Sequence, residues 1–504
     1  MGVRFSFWVK VLVLVAAMVA ADLLVGEVGS WLGGAMLAWA VALFVVRPAV
    51  RRGAAVWALA AAGGFALVLA YDPGPLAWLM FWASLSMAAL MPRAGGFDDA
   101  WRWGVRLAAQ GASGPFAPVL DLGRLLRLRG RGRPVKLVAT LVLPLAMTAL
   151  FVALFANANP LIERALHGIT IPSVERIVLW GFVAVLVWPS LRPRAFATRI
   201  AHVLPKMTVT LPGTSAASVL VSLALFNLVF AVQNGLDLAF LWSGAPLPEG
   251  MTLAAYAHRG AYPLIVTALL AGVFVLGTLK PGSATAENPL IRRLVVLWVA
   301  QNLLLVASSA LRTVDYIEIY MLTAWRIAAL AWMALVALGL VLICWRMLRA
   351  KSAAWLINAN ALAAVLVLSA ATIVDLDAVS AKWNVRHARE VGGKAVPLDL
   401  CQMRWMGSAA LVPLIDLEAR PLAPEFRARV QAVRQEILPN LEREQADWHS
   451  WTMRGQQRLA RARTLIGAAP VGPASLPAGA HRGCDGAVVL PQAAPAPLTP
   501  EPRQ

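Results

Sequence analysis

Through its first three quarters the chain alternates long apolar runs with short, mostly basic connectors. A helix needs about 20 predominantly apolar residues to cross the hydrocarbon core of a bilayer, within a range of about 17 to 25. Eleven segments meet or approach that length: Phe5–Val25, Ser30–Val46, Gly53–Tyr71, Leu76–Met91, Leu137–Ala156, Ile177–Leu191, Ala216–Leu236, Tyr262–Leu279, Leu294–Leu311, Leu322–Cys344 and Ala353–Val374. Ile177–Leu191 is the shortest and carries Pro189 near its end. After Val374 the pattern turns polar. Asp375–Arg389, Leu398–Met406 and Pro424–Leu465 keep helical character, the last with many charges and few core positions. From Gly467 to Gln504 the periodicity is lost in Pro, Ala and Gly, which predicts a disordered tail.

The expected fold is all-α: a polytopic transmembrane helix bundle of about 11 helices with a C-terminal extramembrane helical region. The chain divides into N-terminal transmembrane helices (1–92), a basic amphipathic cytoplasmic loop (93–136), a further transmembrane bundle (137–375), the extramembrane helical region (376–466) and the tail (467–504).

Lys and Arg fall unevenly between alternate connectors. Twenty-three belong to the set with Arg4, Arg47, Arg51, Arg52, the 93–136 loop, Arg192 to Lys206, Lys280 to Arg293 and Arg346 to Lys351. Four, Arg164, Arg176, Arg259 and Arg312, belong to the other. Cytoplasmic connectors carry the excess of positive charge. The N-terminus is therefore expected in the cytoplasm of a bacterial cell and, with an odd number of inner-membrane spans, the C-terminal region in the periplasm. Phe5–Val25 has an alternative as a cleaved signal peptide, with Arg4 and Lys10 ahead of the apolar stretch and Val19 and Ala21 before Asp22. Apolar sequence continuing through Leu24 and Val25 argues against cleavage.

Composition supports the membrane reading. Hydrophobic residues make up 60% and charged residues 14% of the chain, against about 45–50% and about 25% in soluble domains. A formal charge of +19 would in a soluble chain suggest nucleic acid. Here the charge resides in connectors that set topology, and no nucleic-acid partner is expected. Of three cysteines, Cys344 lies in an apolar run and Cys401 and Cys484 lie beyond it. Those two can pair if the C-terminal region is in an oxidising compartment. The Pro- and Ala-rich surroundings of Cys484 weigh against it.

The 93–136 loop interleaves Trp101, Trp103 and Val105 with Arg102 and Arg106, then Leu122, Leu125, Leu126 and Leu128 with Arg124, Arg127, Arg129, Arg131 and Arg133. Helical spacing gathers Arg124, Arg127 and Arg131 on one face. Two readings stand. The segment lies along the inner leaflet, arginines on anionic membrane lipids and Trp and Leu in the acyl boundary, or it is a stop-transfer connector whose charges only set topology.

Soluble-enzyme chemistry is missing from the pattern. His167, His202, His258, His387, His449 and His481 never fall at zinc-site spacing. No Walker loop, Rossmann glycine fingerprint or Gly-x-Ser-x-Gly elbow occurs. No metal, cofactor or catalytic residue is expected, and a lipid-modifying enzyme with His258 as base ranks last for want of a second group at useful spacing.

What stands out is polar residues in apolar helices. Asn227, Asn234 and Asp237 form one helical stripe, with Gln233 beside it, and Gln301, Ser308, Arg312 and Asp315 form another. Both run toward the outer face, where Tyr256, His258, Arg259, Glu318, Arg326, Asp375 and Asp377 are expected to meet them. A loop with Gly244, Pro246, Pro248 and Gly250 has the turn chemistry to bring Asp237 and Arg259 together. The stripes line an outward-facing polar pocket for an unidentified ligand or ion, or they are interhelical bonds and interfacial ion pairs that hold the bundle. The concentration of charge at helix ends favours the second reading. Asn358 and Asn360 read as packing contacts.

Several of these residues lie in longer runs: Phe230-Ala-Val-Gln-Asn-Gly-Leu-Asp237, Pro248-Glu-Gly-Met251, Tyr256-Ala-His-Arg-Gly-Ala-Tyr-Pro263, Ser309-Ala-Leu-Arg-Thr-Val-Asp-Tyr316, Trp355-Leu-Ile-Asn-Ala-Asn360, Trp383-Asn-Val-Arg-His387 and Ala409-Ala-Leu-Val-Pro413. Over roughly Leu223 to Ala419 the sequence resembles a bacterial polytopic membrane family, domain of unknown function four-one-seven-three and its relatives. The resemblance implies a multi-pass fold in the bacterial envelope and brings no assigned activity or ligand residue. Two functions of different class follow. One is an envelope signalling or assembly partner whose exported helical region contacts another envelope protein. The other is a small-molecule transporter or permease using the polar stripes, against which stand the lack of an internal repeat and of broken helices.

Overall fold

The computed structural model describes residues 7–23, 28–121 (119 aside), 172–203, 215–240, 283–393, 396–467 and 480–490, with scattered positions in 144–152 and 267–278. It comprises two compact units, Met1–Thr208 and Val209–Gln504.

The described helices of the first unit are α1 (Phe7–Leu23), α2 (Trp31–Val46), α3 (Ala54–Tyr71), α4 (Pro75–Ala94), α5 (Ala100–Ser113), α6 (Val174–Leu191) and α7 (Ala195–Val203). Without water to drive apolar faces together, membrane helices associate by close packing through small residues. The crossing of α2 and α3 follows that rule: a Cβ on Gly33 would lie 2.1 Å from the Ala70 nitrogen. Trp39, Leu43, Leu69, Phe81 and Leu85 fill the core beside it, and Trp39 Nε1 donates to Ser190 Oγ of α6 at 3.0 Å.

Helix α5 departs from expectation. Asp99 caps it by accepting from the Arg102 N–H at 2.8 Å. Trp103 is buried with Val50, Leu90, Met91 and Ala197 rather than turned to lipid. Arg106 is fully buried, donating through both terminal nitrogens to Asp98 at 2.6 and 2.8 Å. Burial pulls the Asp98 carboxyl upward, yet the Arg106 bonds and charge outweigh it and hold the group below the usual carboxylate range.

In the second unit α8 (Ala216–Phe240), α9 (Pro289–Tyr320), α10 (Ala324–Leu348) and α11 (Ala353–Ile373) are apolar. Their starts carry capping residues. Asn288 accepts from Leu290 N–H at 2.9 Å, Thr323 from Arg326 N–H at 3.4 Å and Ser352 from Trp355 N–H at 3.1 Å. Among the described residues seven helices, α3, α4, α6, α8, α9, α10 and α11, are long and apolar enough to cross a membrane. Helices α1 and α2, at 17 and 16 residues, are shorter. The expected spans Leu137–Ala156 and Tyr262–Leu279 fall mostly outside the described residues. Helix α11 buries Leu356 alone, while Leu362, Leu366 and Ile373 stay exposed, as suits a face against lipid. Asn360 is a packing contact, its Oδ1 only 2.9 Å from where a Cβ on Gly339 of α10 would be.

The polar C-terminal region folds into α12 (Leu376–His387), α13 (Leu400–Trp405), α14 (Ser408–Glu418), α15 (Pro424–Ala446), α16 (Met453–Ile466) and a hairpin of β1 (His481–Arg482) and β2 (Val488–Val489). The helical stretch expected over Pro424–Leu465 is divided into two helices, α15 and α16. Asp447 accepts from the His449 N–H at 3.0 Å in a turn, and Thr452 caps α16 by accepting from Gly455 N–H at 3.0 Å. Nor are core positions few: Val430, Val433, Ile437, Leu441 and Leu459 pack with Ala381, Leu400, Met403, Leu411 and Leu414. Arg434, 4% exposed, donates to Glu418 Oε1 at 2.6 Å, and burial pushes the Glu418 carboxyl up despite that bond.

Within the tail expected to be disordered, residues 480–490 form the antiparallel hairpin, with His481 opposite Val489 and Arg482 opposite Val488. Gly486 turns at φ +76°, pressed so close to the Arg429 carbonyl that a Cβ would sit 2.4 Å from its oxygen. Cys484 is disulfide-bonded to Cys401, their Cα atoms 4.9 Å apart, which closes the pairing the sequence left open.

Candidate functional site

The two polar stripes meet along α8 and α9. Asn227 Nδ2 donates to the carbonyls of Leu223 at 2.7 Å and Leu294 at 3.1 Å, and Gln301 Nε2 donates to Asn227 Oδ1 at 3.3 Å. One turn pair further, Asn234 Nδ2 reaches the Gln301 carbonyl at 3.2 Å. Asn227 to Leu294 and Asn234 to Gln301 are each separated by 67 residues, so α8 and α9 run parallel. Asp237 Oδ1 then accepts from Gln233 Nε2 at 3.1 Å and from the Arg312 guanidinium. With side chains 6% and 10% exposed, Asp237 and Arg312 are a buried ion pair among apolar helices. The guanidinium on Asp237 is thus Arg312, whereas His258 and the expected partner Arg259 lie outside the described residues, as does Tyr256.

The remaining described candidates lie outside this hydrogen-bond network. Asp315 is half-buried on α9. Arg326 donates to the carbonyls of Tyr320, at 2.6 Å, and Met321, and its guanidinium lies 4.3 Å from the Tyr316 ring centroid. Asp375 caps α12 by accepting from Ala378 N–H at 3.0 Å and pairs with Arg458, with Arg454 at 3.8 Å. Beside it the Asp377 carboxyl is raised by burial and by the Asp375 charge, with Arg458 pulling the other way. Arg124, Arg127, Arg129, Arg131 and Arg133 lie outside the described residues.

Sequence reasoning missed the junction that these residues build between the apolar helices and the C-terminal domain. Met321, between α9 and α10, is 3% exposed and belongs to the core formed by α12 to α16. Its φ of +65° is unusual for a side chain other than glycine. Asn384 of α12 fixes the next residue, accepting from Leu322 N–H at 2.7 Å and donating to Leu322 O at 2.9 Å. Arg454 of α16 donates to the Ile373 carbonyl at the end of α11, at 2.8 Å. The signal was slight: a single Asn in a polar helix and one Met at a helix boundary.

Chemically the α8–α9 network neutralises its own charges and satisfies most of its polar atoms. Asn234 Oδ1 and Gln301 Oε1 are buried without a donor among the described residues. Among the same residues no three His, Cys, Asp or Glu side chains group as metal ligands.

Residues 2–417 match the family described as Domain of unknown function (DUF4153), and the chain belongs to it. This corrects the serial number that the sequence runs suggested, and it extends the likeness through the N-terminal third. No curated protein and no solved structure matches the chain.

Proposed function

We propose that this member of the DUF4153 family is a bacterial inner-membrane protein acting as an envelope signalling or assembly partner, with residues 376–490 as the exported domain that meets another envelope protein. The observation that carries this reading is the junction at Met321 and Asn384. A domain whose core contains the α9–α10 turn cannot shift without moving two apolar helices, one of which bears Arg312. A domain held by a separate linker would transmit nothing.

The proposed topology has eleven spans, a cytoplasmic N-terminus and a periplasmic C-terminal domain. The Cys401–Cys484 bond supports it, because disulfides persist in oxidising compartments. So does the parallel course of α8 and α9, which one crossing between them, the expected Tyr262–Leu279 span, would give. On the cytoplasmic side, the proposed role of Arg124 to Arg133 is attachment to anionic lipid.

Alkaline-phosphatase fusions test the topology, since that enzyme needs disulfides to fold. A fusion after Asp377 is expected to be active and one after Arg349 inactive; the reverse pattern sinks the reading. Function is tested by complementing a deletion strain. Asn384→Ala is expected to lose the phenotype while the protein still accumulates, and in-cell crosslinking from exposed Trp405 is expected to capture one envelope protein.

One observation favours a transporter instead: the donorless oxygens of Asn234 and Gln301 beside Asp237 would suit a cation or a ligand N–H. On that reading Asn234→Leu abolishes the phenotype and Asn384→Ala spares it.

A further inference from the structure

Six cations converge on one cavity of the first unit. Lys10 of α1, Arg47 beyond α2, Arg93 in the last turn of α4, Arg192 and Arg194 beyond α6 and Arg199 of α7 surround a cavity of about 610 Å³. Asp121 is the one carboxylate on its described wall. It accepts from Trp188 Nε1 at 3.0 Å and stands 3.7 and 3.6 Å from Arg192 and Arg194, near enough to offset one charge.

Helix C-termini favour nearby cations, and that accounts for Arg47, which donates to the carbonyls of Ala89 at 2.8 Å and Ser190 at 3.2 Å. It does not account for Lys10, near the start of α1, or for Arg199, within α7. Lys10, Arg93 and Arg199 form no ion pair among the described residues. Burial and the repulsion of Arg93 lower the Arg47 guanidinium to about 10, so this positive charge is gathered at a cost that the single carboxylate of Asp121 offsets only in part.

The geometry points to a phosphate-binding site, one that takes the phosphate of an anionic phospholipid headgroup or of a soluble phosphate compound. Guanidinium forks match phosphate oxygens two at a time, which makes arginine the residue suited to this task. The cavity is lined by residues at the ends of α2, α4 and α6, which in the proposed topology reach the cytoplasmic headgroups, and basic pockets between spans hold anionic headgroups. Phe196, exposed on the same wall, supplies apolar contact at the acyl boundary.

Full-length protein in detergent, with native mass spectrometry and thermal shift, provides the test. The probes are phosphatidylglycerol, diacylglycerol with the same chains but no phosphate, and inorganic pyrophosphate. Phosphatidylglycerol is expected to be retained at least about tenfold more strongly than diacylglycerol, a difference of about 1.4 kcal/mol. Arg93→Gln with Arg199→Gln should remove that preference, and Arg52→Gln, exposed and off the cavity, should keep it. Should the double variant fail to accumulate, exposed Arg199→Gln alone is expected to weaken retention. A shift from pyrophosphate and none from phosphatidylglycerol assigns the site to soluble phosphate compounds. Equal retention of phosphatidylglycerol and diacylglycerol without a pyrophosphate shift, or a preference unchanged in the Arg93 and Arg199 variants, overturns the proposal.

Discussion

Asn384 holds Leu322 by both of its backbone groups, at 2.7 Å to the N–H and 2.9 Å to the carbonyl, and so pins the α9–α10 turn into the core of the C-terminal domain. The turn needs pinning because Met321 adopts φ +65°, a conformation that costs a side-chain-bearing residue about 1–3 kcal/mol. Replacing Asn384 by Ala leaves a buried donor and a buried acceptor unmet, each at about 1–3 kcal/mol. The melting temperature of the detergent-purified variant should fall by several degrees, and amide exchange should quicken at Leu322 ahead of the rest of α10. Uniform exchange across α10 would show that the clamp is not what holds the turn.

The disulfide closes a separation of 83 residues, from α13 to the hairpin. Loop-closure entropy alone would make it worth about 4–5 kcal/mol, with measured bonds commonly about 2–4. Cys401→Ser should therefore leave α12 to α16 folded on their own core but release the hairpin, exposing the Arg482 peptide bond to trypsin. Resistance of that bond in the variant would mean that the Arg429–Asp485 pair and the seat of Gly486 on Arg429 suffice.

Apolar length was the legible part of this fold, because a bilayer imposes one dimension on every span. The described helices from α8 to α11 start and end within a few residues of their expected spans or extend them in polar turns, as α9 does to Tyr320. Two kinds of feature were hidden. Arg106 and Trp103 look like a basic, aromatic membrane face until Asp98, eight residues earlier, is seen to take the charge inside. The hairpin at 480–490 has almost no periodicity to read, since two-residue strands carry none and its position depends on Cys401, far away in the chain. Within the candidate site, helical spacing grouped Asn227, Asn234 and Asp237 on one stripe and Gln301 and Arg312 on another, and hydrogen bonds join the two groups. It could not show that the stripes face each other, because pairing between helices is a tertiary fact.

Asp377 gives the C-terminal domain a pH dependence of known sign. Burial and the Asp375 charge raise its folded-state pKa above the ordinary 3.8. The folded protein therefore holds this proton more tightly than the unfolded chain, and stability falls as pH rises from about the ordinary value through the raised one. Asp377→Asn should remove that loss. Thermal melts should show the variant matching wild type at the acid end of the window and exceeding it above, the gap levelling off once Asp377 is ionised. A gap that widens toward acid pH instead would contradict the assigned direction.

Gly33 should tolerate no side chain. A Cβ 2.1 Å from the Ala70 nitrogen meets backbone, which cannot swing aside, so α2 and α3 must part. Overpacking of this kind costs about 1–3 kcal/mol. Gly33→Ala should lower the melting temperature, while Gly34→Ala, with open space around its Cβ position, should not.

The buried pair at Asp237 decides between a structural and a ligand-binding role for the polar network. Its charges are sequestered from solvent by apolar helices, and a partner removed from such a pair leaves an uncompensated charge at a cost of about 3–5 kcal/mol. If the pair is structural, Asp237→Asn and Arg312→Gln should each destabilise the protein. The combined Asp237→Asn and Arg312→Gln variant should be more stable than the sum of the single losses predicts, and the charge swap Asp237→Arg with Arg312→Asp should recover part of the loss. If Asp237 serves a ligand, the single variants should accumulate and melt normally yet fail to complement the deletion strain, and the swap should rescue nothing, because a ligand's geometry is not inverted with the side chains. Melting temperature and complementation measured on the same four proteins separate the two. Normal melting together with full complementation in all of them would defeat both readings, and would require water at Asp237 to keep a lone buried carboxylate or guanidinium solvated.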